Sequence, residues 1–263
     1  MSVIRSRDNA RVKAWARLAD DPRERRGQGL ALIEGVHLIE TFLGTGLLPT
    51  CLIASESGVG RTEVAQLLAR IGMQPCVLAD ALFNRISVTQ APAGIAAEIR
   101  IPISTIDPAA SAGCVFLEGI QDAGNVGAIL RSAAAFGVPD IVYGQGCADP
   151  WSPKALRAGM GGHFFLRIAS SADLTADVGR FGRVSICTQA RAGESLESID
   201  LTGRIGWIFG SEGAGVSATV AAAASRRASI PMPGSAESLN VAASAAICFY
   251  ERGRQLSRRG APG

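Results

Sequence analysis

The sequence predicts an α/β protein: a mostly parallel sheet in the larger, C-terminal part, with a small α/β domain before it. Three observations carry that expectation. Short apolar runs alternate with helical segments along nearly the whole chain. The alternation breaks once, at I-P-I-S-T-I-D-P-A-A-S-A-G (101–113), whose proline, serine and glycine mark an interdomain linker. Beyond it the strand-like runs are continuously apolar, as in strands covered on both faces. The expected domains are 1–100 and 114–263, joined by 101–113.

In the first domain, D-N-A-R-V-K-A-W-A-R-L-A-D (8–20) predicts a helix. Asp8 or Asn9 is placed to cap it, and Val12, Trp15 and Leu18 recur at helical spacing. P-R-E-R-R-G-Q-G then reads as a loop. Leu30–Glu34, Thr50–Ala54 and Pro75–Leu78 read as strands, and Val36–Leu43 and Arg61–Ile71 as helices. In the second domain Cys114–Glu118, Asp140–Tyr143, Phe164–Ile168, Val184–Thr188, Ile205–Phe209 and Ala228–Ile230 are the expected strands. Val126–Phe136, Pro153–Met160, Ala172–Phe181, Val216–Ala224 and Leu239–Tyr250 are the helices between and after them. In such folds ligands bind at the carboxyl ends of the strands.

Composition narrows the function. The chain has 263 residues and a net charge of +3, with 48% hydrophobic and 5% aromatic residues. Eight Arg/Lys stand against four acids in residues 1–30, and four Arg against one acid in 251–263. Basic ends on a near-neutral body suit contacts with phosphates. No apolar run is long enough to span a membrane, and the N-terminus lacks the apolar core of a secretory signal. The six cysteines are scattered and only His37 and His163 accompany them, so no metal site is expected. Reduced thiols in a cytoplasmic protein are the expectation.

Three polar constellations fall at strand ends. In F-L-E-G-I-Q-D-A-G-N-V-G-A-I-L-R-S-A-A-A-F-G (116–137), Asn125 stands at a helix N-cap position and Arg131 is the only charge between Asp122 and Asp140. A lone arginine on a small-residue helix needs a partner, either a protein carboxylate or a substrate phosphate and hydroxyl. In I-G-W-I-F-G-S-E-G-A-G (205–215), a strand runs into glycines that let backbone approach a ligand, and Glu212 is the only acid between Asp200 and Glu237. In A-S-I-P-M-P-G-S-A-E-S-L-N-V-A-A-S-A-A-I-C-F-Y-E (228–251), a strand breaks at Pro231, Pro233 and Gly234, and Ser238 offers an N-cap to the last helix. The glycines do not form G-x-G-x-x-G, which argues against a nicotinamide-cofactor oxidoreductase.

Together these stretches resemble the three motifs of the SpoU-type (TrmH-like) RNA 2′-O-ribose methyltransferases of the SPOUT superfamily. The resemblance is strong over 114–251. It is looser over 1–100, where R-D-N-A-R-V-K, L-I-E-G-V-H-L-I-E and S-V-T-Q-A-P-A-G-I resemble an auxiliary RNA-binding domain. It implies a catalytic domain with a C-terminal trefoil knot that forms a homodimer. The implied catalytic residues are Asn125, Arg131, Glu212, Ser238 and Asn240. Gly210, Ile230, Met232 and Leu239 match the S-adenosylmethionine cradle. Arg7, Asn9, Arg11 and Arg157 are the expected RNA contacts. W-S-P-K-A-L-R-A-G-M-G-G-H-F-F (151–165) resembles a segment beside the active site, with Gly159 where relatives commonly have serine.

Methyl transfer to a ribose hydroxyl is a displacement that needs alignment and charge stabilisation rather than a metal. Arg131 is the residue expected at the 2′-hydroxyl, as a cation orienting a phosphate and steadying an alkoxide. A guanidinium resists deprotonation, so proton acceptance stays open. Glu212 either orients these groups or pairs Arg131 directly. Ribosomal RNA is the expected substrate, with transfer RNA, a non-catalytic RNA-binding or ribosome-assembly role, and base N-methylation as the alternatives.

Overall fold

The computed structural model describes residues 2–89, 91–190 and 193–260. In chain order its elements are β1 (Val3–Ile4), α1 (Ala10–Asp20), α2 (Pro22–Gln28), β2 (Leu30–Glu34), α3 (Val36–Leu43), β3 (Cys51–Ser55), α4 (Thr62–Ile71), β4 (Cys76–Leu78), α5 (Asp80–Ile86) and β5 (Ile95–Arg100). There follow β6 (Cys114–Leu117), α6 (Ala123–Ala135), β7 (Asp140–Tyr143), α7 (Pro153–Gly159), β8 (Arg167–Ser170), α8 (Leu174–Phe181) and β9 (Val184–Gln189). The chain ends with β10 (Glu194–Ser195), β11 (Ile205–Phe209), α9 (Ala218–Ala223), β12 (Arg226–Ser229) and α10 (Val241–Gly260). It divides into two compact units, residues 2–102 with Asp149–Phe164, and Ile103–Ala148 with 165–260.

The first unit is a five-stranded sheet in the order β1-β4-β3-β5-β2. β5 runs antiparallel to both β2 and β3, so this sheet is mixed. Val12, Trp15 and Leu18 on α1 pack against Leu32, Ile53 and Phe83. The segment expected to be a loop after α1 is the helix α2. Asp21 accepts from the Arg23 N–H at 2.7 Å, Pro22 opens the helix, and Gly29 closes it at φ 64°. Proline just inside the start and glycine just past the end are helix punctuation, not loop chemistry.

Asp149–Phe164 packs with this first unit, although its place beyond residue 113 predicts the second. The reason is a buried ion pair: Arg25 Nε donates to Asp149 at 2.6 Å, and the two side chains are 3% and 8% exposed. Arg25 also donates to the Leu18 and Ala19 carbonyls, which α1 leaves unpaired at its end. α7 lies on β2, and the Phe42 and Phe164 rings meet edge-on at 5.2 Å. Residues 103–113, expected as linker, pack within the second unit: Pro108 and Ser111 are buried, and Arg204 donates to the Pro108 carbonyl.

His163 is buried in the first unit with its ring 5.5 Å from Trp151. Nε2 lies 2.8 Å from the Pro150 carbonyl, which makes it the N–H donor, and among the described residues Nδ1 has no partner. Burial pushes its pKa down to about 4, against smaller opposing effects of that carbonyl and Asp149. The unfolded chain takes up the proton near pH 6.5, so stability is complete above that pH and falls towards pH 4. The expected loss across that window is up to about 3 kcal/mol. Denaturant melts of wild type and His163→Gln at pH 7 and 4.5 test this; parallel losses would remove His163 as the cause.

The second unit is a seven-stranded sheet, all parallel, in the order β10-β12-β9-β11-β6-β7-β8. Its central strands β6 and β11 are covered on both faces. On one side of β11, Trp207 and Phe209 meet Phe249 of α10 at 6.1 and 5.9 Å. On the other, Ile208 packs with Phe116, Phe181 and Val220. Gly206 shares that second face, where a β-carbon would press the Phe181 and Phe116 rings. Among the described residues no helix is long and apolar enough to cross a membrane.

Candidate functional site

The adjacent strands β12, β9, β11 and β6 end at the same edge of the second sheet. The segments leaving β12, β9 and β11 line a cavity of about 540 Å³. Gly210, Ile230, Met232 and Leu239, the four residues matched to a cofactor cradle, all face it. Thr188 and Gln189 at the end of β9 also line it, and sequence reasoning missed both. Their signal was weak, since they follow an ordinary apolar strand.

Gly210 also meets a constraint within the chain itself. Ser211 and Gly215 exchange backbone hydrogen bonds at 3.1 and 2.8 Å, folding the loop back on itself. A β-carbon on Gly210 would overlap the Gly215 carbonyl and the Val216 amide. The close approach is to the chain's own loop, and it presents Glu212 at the cavity wall.

Glu212 is the hub of a polar network joining the three constellations. Asn125 and Asn240 both donate to its Oε1, and Asn240 also donates to Asn125 Oδ1 at 3.0 Å. The amide orientations follow from one another. Asn240 Oδ1 accepts from the Ala242 and Ala243 N–H groups, so its NH2 must turn to Asn125 and Glu212. Asn125 Oδ1 is thereby occupied, and its own NH2 faces the carboxylate.

Two expected caps move as a result. Asp122, not Asn125, caps α6, accepting from Gly124 and Asn125 at 2.6 and 3.2 Å. Asn240, not Ser238, caps α10, which starts at Val241 and continues ten residues past the expected end at Tyr250. Ser238 is an exposed lining residue of the cavity.

Arg131 lies six residues beyond Asn125 on α6, about 9 Å along the axis. It is exposed, and among the described residues it has no hydrogen-bond or ion-pair partner. The direct Glu212–Arg131 pair held open by the sequence does not form; Glu212 is engaged by the two asparagines instead. Glu118, also missed, anchors the far end of the Glu212 loop. It accepts the Ser217 N–H and hydroxyl, both at 2.7 Å, and Ser217 caps α9.

The residues expected to meet RNA divide. Arg7 is exposed. Asn9 caps α1, accepting from Arg11 and Val12. Arg11 turns onto its own unit, donating to Cys76 and Cys51 at 2.6 and 3.0 Å, with its guanidinium 5.0 Å from the Trp15 ring. Burial pushes the Cys51 thiol up to about 11, so it stays protonated at neutral pH. Arg157 is exposed at a small cavity of the first unit. Among the described residues no group of three or more His, Cys, Asp or Glu is placed to hold a metal.

Residues 113–250 match the model of the SpoU rRNA Methylase family. The chain belongs to that family. Residues 9–97 match an MRM3-like substrate binding domain. Among this SpoU member's relatives is the 23S rRNA (guanosine(2553)-2′-O)-methyltransferase RlmP of Bacillus subtilis, 31% identical over 95% of this chain and 98% of that one. A crystal structure of an RNA 2′-O ribose methyltransferase superposes with a TM-score of 0.81 at 31% identity, covering 97% of this chain and 99% of the other. The SpoU methyltransferase AviRb from Streptomyces viridochromogenes, solved in complex with the cofactor AdoMet, gives 0.82 at 26% identity, covering 95% and 100%.

Proposed function

We propose that this SpoU-family chain is an S-adenosylmethionine-dependent methyltransferase acting on a ribose 2′-hydroxyl, with ribosomal RNA as its substrate. One observation carries the reading: two of the constellations line one cavity, and the third is tied to them through the Asn125, Glu212 and Asn240 network. The names of the Bacillus relative and the AdoMet complex of AviRb point the same way.

The cavity fits the donor. Its volume lies in the small-molecule range, and Ile230, Met232 and Leu239 offer apolar side chains beside backbone at Gly210. When bound, the donor supplies an activated methyl group on a sulfonium. The chain's residues supply the rest. Arg131 holds an RNA phosphate and steadies the negative charge developing on the 2′-oxygen. Asn125, Glu212 and Asn240 fix the Glu212 loop and the start of α10 against α6, and Ser238 faces the same space. Glu118 keeps the loop's other end in place through Ser217.

The reading includes a homodimer, the knotted C-terminus of the family resemblance, and a cytoplasmic location. Phe136, Ile247 and Tyr250, which expose apolar surface at α6 and α10, support the dimer. Arg7 and Arg157 are the proposed RNA contacts outside the catalytic unit.

Calorimetry of the full chain with S-adenosylmethionine in excess chelator is expected to show binding without metal. A folded protein giving no binding heat would end the cofactor assignment. Mapping 2′-O-methylation in total RNA with and without the protein identifies the substrate; an unchanged ribosomal RNA pattern would exclude it as the target.

A further inference from the structure

The first unit holds a separate cavity of about 180 Å³, walled by Leu32, Leu38, Pro153 and Leu156, with Glu34 and Arg157 as its charged lining. Glu34 sits at the end of β2, partly buried, and holds Ser87, Thr89 and Ala93. Its two oxygens lie 2.9 and 2.8 Å from the single Ser87 hydroxyl, which has one proton to give. The Ala93 N–H at 3.3 Å and the Thr89 hydroxyl at 3.5 Å are long, and both address Oε1. A carboxylate accepts about four hydrogen bonds. Glu34 therefore has acceptor capacity left over, chiefly on Oε2, beside apolar walls. Among the described residues no cation lies within ion-pair distance of it.

A ligand completing this site needs a flat, apolar body and adjacent N–H donors on one edge. Guanine has both, since N1–H and the N2 amino group lie side by side, one addressing the open Oε2 and the other replacing the long Thr89 contact on Oε1. A guanidinium has a similar edge, but Arg157 at the same cavity opposes a cation and favours a phosphate. Single-stranded RNA is read in this way, with unstacked bases hydrogen-bonded along their Watson–Crick edges. We propose that this cavity receives an unstacked guanine of the RNA substrate, its Watson–Crick edge on Glu34 and its phosphate towards Arg157. The proposal rests on the RNA reading above, but not on methyl transfer.

The test is equilibrium binding of labelled pentauridine strands whose central residue is guanosine, inosine or adenosine, using the full chain. Inosine lacks only the N2 amino group. Wild type is expected to prefer guanosine over inosine by roughly tenfold. Glu34→Gln, which turns one acceptor into a donor, is expected to abolish that preference while leaving S-adenosylmethionine binding intact. Ser87→Ala keeps the charge and is expected to retain the preference. Equal wild-type binding of the three strands would overturn the proposal, and so would an undiminished guanosine preference in a folded Glu34→Gln protein. A wild-type guanosine preference without any S-adenosylmethionine binding would instead support the pocket and remove the methyltransferase reading.

Discussion

Arg131→Ala is expected to lose roughly 10²-fold or more in single-turnover methylation, the scale seen when one preorganised electrostatic group at developing negative charge is removed. The melting temperature is expected to stay close to wild type, because Arg131 is exposed and partnerless among the described residues. Its loss breaks no hydrogen bond among the described residues. Cofactor affinity is also expected to hold, since the cavity is lined from the other two constellations. Arg131→Lys keeps the charge but not the planar fork that addresses a phosphate and a hydroxyl together, so it is expected to remain poor. Single-turnover rates beside thermal melts separate the possibilities. Near wild-type turnover in a stable Arg131→Ala protein would end the proposed mechanism.

Arg25→Ala is expected to destabilise the first unit strongly. It leaves Asp149 buried without its cation and uncaps the last carbonyls of α1. Breaking a buried pair from one side costs about 3–5 kcal/mol. Replacing both partners, Arg25→Met with Asp149→Asn, is expected to recover part of that loss, since no uncompensated charge then remains. Asparagine retains an acceptor for the Trp151 N–H, which Asp149 Oδ1 holds at 3.0 Å. Denaturant midpoints are the measurement, and a loss below about 1 kcal/mol in Arg25→Ala would show that the pair does not hold the segment.

What the sequence disclosed follows from how local each signal is. The strand β11 was legible to the residue, because a covered parallel strand is a continuous apolar run. β5 was not, because I-A-A-E-I-R combines alanines of low strand preference with a glutamate. Its place is decided by pairing with β2 and β3 on either side. At the site, the residue types were readable and their connections were not. Asn125, Asn240 and Asp122 are all competent caps; the one network that lets Glu212 take two amide donors assigns their duties. The Arg25–Asp149 contact spans 124 positions and leaves no local trace at all.

The interleaving of the two units has a consequence for how the protein is made. The first unit cannot complete itself when residue 102 leaves the ribosome, because Asp149 and α7 have not yet been synthesised. Until residue 164 has emerged, the Arg25 guanidinium and the face of β2 that α7 covers stay open to water and to other chains. Domains usually form in order as synthesis proceeds. Here β6, α6 and β7 must emerge before the N-terminal unit can close, so the early chain is the period of greatest exposure to aggregation. By the same crossing, residues 1–100 grafted onto another enzyme would carry an unmatched arginine and an uncovered face of β2.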